Sequence, residues 1–237
     1  RNYFYLYNGK NYPSNDLIEY LTGLQMTFQN LVTELYVASE SRQALKKNIV
    51  NLKSWDLTQR QICDLELIMN GGFNPLSGFL GQEDYKSVVE NMRLSNGALW
   101  PIPITLDVSQ EFAAGVEEGQ DIMLRDLEGV VLAVLTISDK WSPNKKYEAE
   151  KVFGTNDIKH PAVHYLQNVA GPVYLGGKIL GLQKPVHYDF RARRDTPNEL
   201  RSYFHKLGWK KIVAFQTRNP LHRAHQELTF RAAKEVQ

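Results

Sequence analysis

Apolar positions change their period along the chain, and each change predicts an element. From 31 to 60 the pattern is helical and connecting. After Thr58, a favoured helix cap, Ile62, Leu65, Glu66 and Met69 mark successive turns, and Gly71-Gly72 predicts where that helix stops. Asn74-Pro75-Leu76-Ser77-Gly78 has the composition of a structural turn. Over 99–138 the period shifts towards strands. Stretches 99–108 and 121–137 are rich in Ile, Val, Leu and Thr, and Asp126-Leu-Glu-Gly129 predicts a hairpin turn inside the second. Pro101 and Pro103 confine the first stretch to a sheet edge or to the start of its strand, because neither can donate to a ladder. Helical spacing returns at 144–153, with Asn144 as cap and Gly154 as stop, and His160-Pro161 opens a further turn through Leu166. Gly171-Pro172 and Gly176-Gly177 punctuate the chain and predict a domain boundary near 175–181.

Beyond that boundary the pattern is helix, strand, helix. Thr196-Pro-Asn-Glu199 is a capping box with Pro in the first turn; Leu200, Phe204 and Leu207 line its helix, and Gly208 ends it. Residues 211–215 are a short apolar run after a charged lead-in, suited to a strand buried in a parallel sheet. Asn219 as N-cap and Pro220 in the first turn predict the next helix, with Leu221, Ala224, Leu228 and Ala232 as its apolar stripe. A strand handing over to a helix aims free N–H groups and the positive end of the helix dipole at the turn, a ready site for anions. The side chains agree. No acid lies between Gln216 and Gln226, while Arg218, His222, Arg223 and His225 all offer donors. The two histidines, three apart, share one face of the first turn. Arg218 can grip a tetrahedral oxyanion through its planar fork, whereas Arg223 points away and reads as surface charge.

Composition requires any basic site to be local. The chain has 237 residues, 43% apolar and 23% charged, ordinary for one large globular domain or two small ones. A net charge of +2 is too small to mark a nucleic-acid or membrane partner. The single cysteine, Cys63, cannot form an internal disulfide, fits a reducing cytosol and reads as a small buried apolar residue. No uncharged run approaches the roughly 18–20 residues that a membrane span requires. His160 and His164 are four apart, but no Cys, Asp or Glu at a typical spacing completes a zinc site, so no metal is assigned. Arg191, Arg193 and Arg194 read as a solvated basic face, with a supporting phosphate contact as the alternative. Residues 1–25 hold five of the twelve tyrosines, lack the basic start and apolar core of a secretory signal, and offer Ser14-Asn15-Asp16 as the cap of a short helix through Leu21.

Gln216-Thr-Arg-Asn-Pro-Leu-His-Arg-Ala-His225 resembles the signature of the ATP sulfurylase (sulfate adenylyltransferase) family of bacterial and fungal type. It is a variant of the HxGH motif of a wider nucleotidyltransferase superfamily, with Ala224 where many relatives carry Gly; the preceding Gln-Thr-Arg-Asn-Pro narrows it to the sulfurylases. Asp56-Leu-Thr-Gln-Arg-Gln-Ile-Cys-Asp-Leu-Glu66, Asn70-Gly-Gly-Phe-Asn-Pro-Leu-Ser-Gly-Phe79 and Trp100-Pro-Ile-Pro-Ile-Thr-Leu106 are similar to the same family, so the likeness covers about 28–237.

The resemblance implies an α/β fold class. An α+β N-terminal domain with a PUA-like β-barrel (26–178) precedes the start of a Rossmann-like HxGH nucleotidyltransferase domain (179–237), truncated here because that domain continues further in the family. Residues 1–25 fall outside it as an extension, an added remnant or an accessory helix. The implied reaction joins ATP and sulfate into adenosine 5′-phosphosulfate and pyrophosphate, by direct in-line attack of a sulfate oxygen on the α-phosphorus. Sulfate has no proton to remove at neutral pH, so neither a general base nor a protein nucleophile is required. Catalysis is then positioning and charge neutralisation. On this chain the family pattern assigns sulfate to Gln216 and Arg218. The catalytic group is Thr217, Arg218 and Asn219, with Thr217 and Asn219 addressing the α-phosphate and the geometry of attack. The nucleotide falls to Gln216, Asn219, His222 and His225, the histidines stabilising the departing pyrophosphate, and Mg²⁺ arrives with ATP.

The resemblance further implies a cytoplasmic enzyme, a homo-oligomer when full length, with no nucleic-acid or membrane partner. An adenylylsulfate kinase domain follows in bifunctional relatives, and these 237 residues alone are expected to have little activity. Two other readings stay open. One is another HxGH-type nucleotidyltransferase, acting on an organic phosphate. The other is a non-catalytic fragment whose PUA-like module binds RNA or mediates oligomer contacts; against RNA, 99–138 has Arg125 as its only Lys or Arg.

Overall fold

The computed structural model describes residues 32–235, which fall in two compact units, one spanning 32–191 and the other contributing 192–235. The helix expected from Ser14 lies outside the described residues. In the first unit the order is α1 (Ser39–Asn48), β1 (Ser54–Asp56), α2 (Gln59–Met69), β2 (Gly78–Phe79), α3 (Gln82–Asn91), β3 (Leu106–Val108) and α4 (Gln110–Ala114). Then come β4 (Asp121–Arg125), β5 (Val131–Trp141), α5 (Lys145–Phe153), α6 (Pro161–His164) running into a π-helical turn (Tyr165–Val169), and β6 (Val173–Gly181). The six strands form one sheet in the order β1-β4-β5-β6-β2, with β3 also paired to β6. β1 runs parallel to β4 and the other pairs are antiparallel.

Local chemistry sets most of the boundaries. Thr58 and Gln61 make a reciprocal capping box at the start of α2: Gln61 N donates to Thr58 Oγ1 at 3.3 Å, and Thr58 N to Gln61 Oε1 at 3.0 Å. The hairpin joining β4 to β5 closes where its turn residues predict, with the N–H groups of Glu128 and Val130 donating to Asp126 Oδ1 at 3.0 and 2.8 Å. Asn144 caps α5, accepting from Tyr147 N at 3.1 Å, and Gly154 ends it in the left-handed conformation (φ 69°). Leu65, Ile68 and Met69 of α2, Leu106 and Val108 of β3, and Ile122, Leu124, Leu135, Ile137 and Leu175 of the sheet are buried in one core.

Three expectations change. The strand expected over 99–108 is regular only from Leu106, past both prolines, and lies at the sheet's edge against β6. Gly176 and Gly177, expected as punctuation, lie inside β6, which pairs with β5 along most of its length. They are glycines because chains cross closely there: a side chain on Gly176 would meet the backbone of Leu80 and Gly81, and one on Gly78 would overlap the carbonyl of Gly177. Cys63 is exposed on α2, not buried, because the residues facing the core are Gln61, Leu65, Ile68 and Met69.

In the second unit the Thr196–Glu199 box forms as expected, and starts α7 (Pro197–Lys206). Phe204 stacks on Trp209 with ring centroids 5.5 Å apart, and Gly208 takes φ 70° after the helix. The last described element is α8 (Arg223–Glu235). The strand expected at 211–215 is not formed; the segment is irregular, with Ile212 44% exposed. A strand exists only through ladder bonds to a neighbour, and no described residue pairs with this one. Among the described residues no helix is long and apolar enough to cross a membrane.

Candidate functional site

The expected site residues lie on the loop before α8 and on its first turn. Gln216, Arg218, Asn219 and His222 are exposed, while Thr217 and His225 are half-buried. Two groupings are built by direct contact. In the first, Thr217 Oγ1 accepts from Asn219 N at 3.1 Å and itself reaches Asn219 O at 3.2 Å, a local turn made by one hydroxyl. In the second, the rings of His222 and His225 lie 5.5 Å apart at 34°, and Phe215 packs 5.6 Å from the ring of His225. Gln216 and Arg218 reach neither grouping by a hydrogen bond among the described residues, and both are exposed on the loop.

The helix starts later than its residues predict. Asn219 is not the N-cap: its N–H is turned onto Thr217, and α8 begins at Arg223. His222 takes the cap position, with Gln226 N donating to its carbonyl at 3.1 Å. The cap position thus coincides with the first of the two histidines. Leu221 therefore precedes the helix and is 41% exposed, and Leu228 is 53% exposed on it. The nearest acid, Glu227, is paired with Arg231 at 2.9 Å, so it does not cancel the loop's positive charge. With four potential cationic or N–H donors and no acid on this stretch, the loop can hold a polyanion. Phe215, expected at the end of a buried strand, packs instead against the ring of His225.

A second concentration of charge lies in the first unit. Arg60 pairs with Asp64 at 2.5 Å and with Asp107 at 2.5 Å, and donates from Nε to Tyr165 of the π-helical turn at 3.1 Å. Asp107 also accepts from Gly171 N at 2.6 Å and Gln61 Nε2 at 3.0 Å. Burial alone would lower the Arg60 pKa; Asp64, Tyr165 and Asp107 outweigh it and hold the guanidinium above its ordinary value. This cluster ties α2, β3 and the π-helical turn together with every carboxylate engaged, so it serves the fold. Its sequence signal is the i, i+4 pair Arg60 and Asp64 on a helix face.

Comparison with known proteins fits this layout. The PUA-like domain family matches residues 27–184, and the ATP-sulfurylase family matches 191–237. The sulfate adenylyltransferase of Eremothecium gossypii is 53% identical over 197 residues, covering 83% of this chain and 39% of the relative. That of Kluyveromyces lactis is 56% identical over 184 residues (78% and 36%), and that of Saccharomyces cerevisiae 51% over 203 (83% and 40%). The chain therefore spans about two fifths of the length of these relatives. A solved structure described as "Hexameric APS kinase from Thiobacillus denitrificans" superposes with a TM-score of 0.70 at 34% identity, over 87% of this chain and 36% of that one. Through residues 27–184, more than half its length, the chain belongs to the PUA-like domain family, with ATP-sulfurylase sequence following at 191–237.

Proposed function

We propose that this chain belongs to a sulfate adenylyltransferase, which joins ATP and sulfate into adenosine 5′-phosphosulfate and pyrophosphate. The observation that carries the reading is the ATP-sulfurylase match across 191–237, which includes Gln216-Thr-Arg-Asn-Pro ahead of the histidine pair. Relatives at about half identity bearing that activity as their name support it.

In this reading Gln216 and Arg218 hold sulfate, Thr217 and Asn219 align its oxygen with the α-phosphorus, and Gln216, Asn219, His222 and His225 hold the nucleotide. The difficulty of the reaction is electrostatic: a dianion must approach a tetra-anion. A guanidinium fork and imidazole donors on an acid-free loop meet that need without any proton transfer. The Thr217–Asn219 turn fixes the backbone between the sulfate and phosphate residues, so both anions are held by one short segment. Mg²⁺ enters with ATP as part of the substrate. A cytoplasmic setting is in keeping with a single cysteine that has no disulfide partner. A homo-oligomer is in keeping with the hexameric description of the Thiobacillus denitrificans protein.

The test is Arg218→Ala in the full-length enzyme. Sulfate-dependent exchange of pyrophosphate into ATP should fall by about 10²–10³-fold, the loss typical of removing one preorganised donor, with the far-ultraviolet spectrum unchanged. Near-normal exchange would remove the sulfate role of Arg218. Exchange that depends on an organic phosphate in place of sulfate would replace the reaction itself.

A further inference from the structure

Among the described residues, His225 takes a hydrogen bond on one ring nitrogen, and the ring of its neighbour His222 takes none. With α8 starting at Arg223, His222 is the N-cap and His225 is the third helical residue. In a capping box that third residue is Glu or Gln, whose side chain accepts from the cap's backbone N–H. The two capping boxes among the described residues are built so, by Gln61 and Glu199. Here the acceptor is an imidazole: His222 N donates to His225 Nδ1 at 3.2 Å. A nitrogen that accepts a hydrogen bond carries no proton, so the ring is neutral with its hydrogen on Nε2. Phe215 packs against the same ring, with centroids 5.6 Å apart.

We propose that the two histidines are not equivalent: His225 is a neutral Nε2–H donor, held in that tautomer because Nδ1 caps α8, while His222 keeps its ring nitrogens outside the cap. This rests on the proposed phosphate role of the pair. It explains how an exposed loop presents a donor in fixed orientation: the ring is tied to the helix end whose N–H groups face the same anion.

Two measurements on the full-length, ¹⁵N-labelled enzyme test it. The first is the through-hydrogen-bond nitrogen–nitrogen coupling between the His222 amide and an imidazole nitrogen, expected in the native protein and absent from His225→Gln. The second compares the Michaelis constant for pyrophosphate in three variants. His225→Gln retains both an acceptor for the cap and an N–H donor, and should raise it about threefold. His225→Glu retains the cap acceptor but puts a negative charge where the donor was, so it should keep its melting temperature while raising the constant by at least about tenfold. His225→Ala should lose both cap and affinity. No coupling from the His222 amide, or His225→Gln behaving like His225→Ala, overturns the dual role even if all variants bind pyrophosphate poorly. Coupling present with pyrophosphate affinity unchanged in His225→Glu would instead overturn the phosphate role of the pair, and the donor half of this proposal with it.

Discussion

Glu148 on α5 is 5% exposed, and its Oε2 accepts from the hydroxyls of Tyr85 and Tyr174 at 2.9 and 3.1 Å. The nearby Lys145 ammonium is spent on the carbonyl of Ala170 at 2.6 Å. Burial raises the Glu148 carboxyl above its ordinary value; the two tyrosines, Lys145 and Arg60 oppose this without cancelling it. The native state therefore holds that proton more tightly than the unfolded chain does. Stability from this group is fullest below its ordinary pKa of 4.5 and falls as pH rises through the raised native value. Asp64, also raised chiefly by burial, acts with the same sign. Glu148→Gln keeps an oxygen for both tyrosines and removes the titration. Its stability deficit relative to the native protein, read from urea midpoints between about pH 5 and 8, should shrink as pH rises. A deficit that stays constant or grows would mean that Glu148 is charged throughout.

At the scale of elements, the contact of β2 with β6 depends on glycine. Gly78 sits opposite Lys178 in the register, and a Cβ there would overlap the carbonyl of Gly177, a backbone atom that no rotamer change can move aside. Gly78→Ala must separate the two strands. The cost expected of such overpacking is about 1–3 kcal/mol, visible as a lower urea midpoint. Gly119→Ala is the control: nothing lies within 4 Å of its Cβ, and only its φ of +84° is strained, at about 1–2 kcal/mol. A larger loss at Gly119 than at Gly78 would show that strand approach is not what requires glycine. The same glycines mark what local sequence does not carry. Thr58, Asn144, Thr196 and Asp126 were legible because a cap or turn is decided within four residues. Gly176-Gly177 looked like an interruption because the neighbours that demand them, Leu80 and Thr136, are distant in sequence. The candidate site residues come from the order of the chain alone. Whether Asn219 caps α8 was not legible there, since the choice between it and His222 turns on whether Thr217 or His225 supplies the acceptor.

For the whole molecule, the distribution of buried apolar surface matters more than the count of elements. Both hydrophobic clusters, including the larger core of the sheet and α2, lie within 32–191; none of the described residues 192–235 belongs to either. α7 and α8 have no buried residue apart from the cap Thr196. A helix of 13 residues that buries no apolar stripe, α8 is held mainly by its own backbone bonds and pairs such as Arg231–Glu227, which leaves it marginal. Backbone amides of β4, β5 and β6 should open only with global unfolding, whereas those of α8 open locally. Hydrogen exchange on the 237-residue chain should therefore find α8 exchanging at least about 10²-fold faster than β5. Adding pyrophosphate should slow α8 selectively if the anion settles on its first turn, because ligand that binds only the closed form shifts the opening equilibrium. Equal protection in α8 and β5 without ligand would contradict this division of stability. A ligand effect confined to the sheet would move the anion site away from His222 and His225.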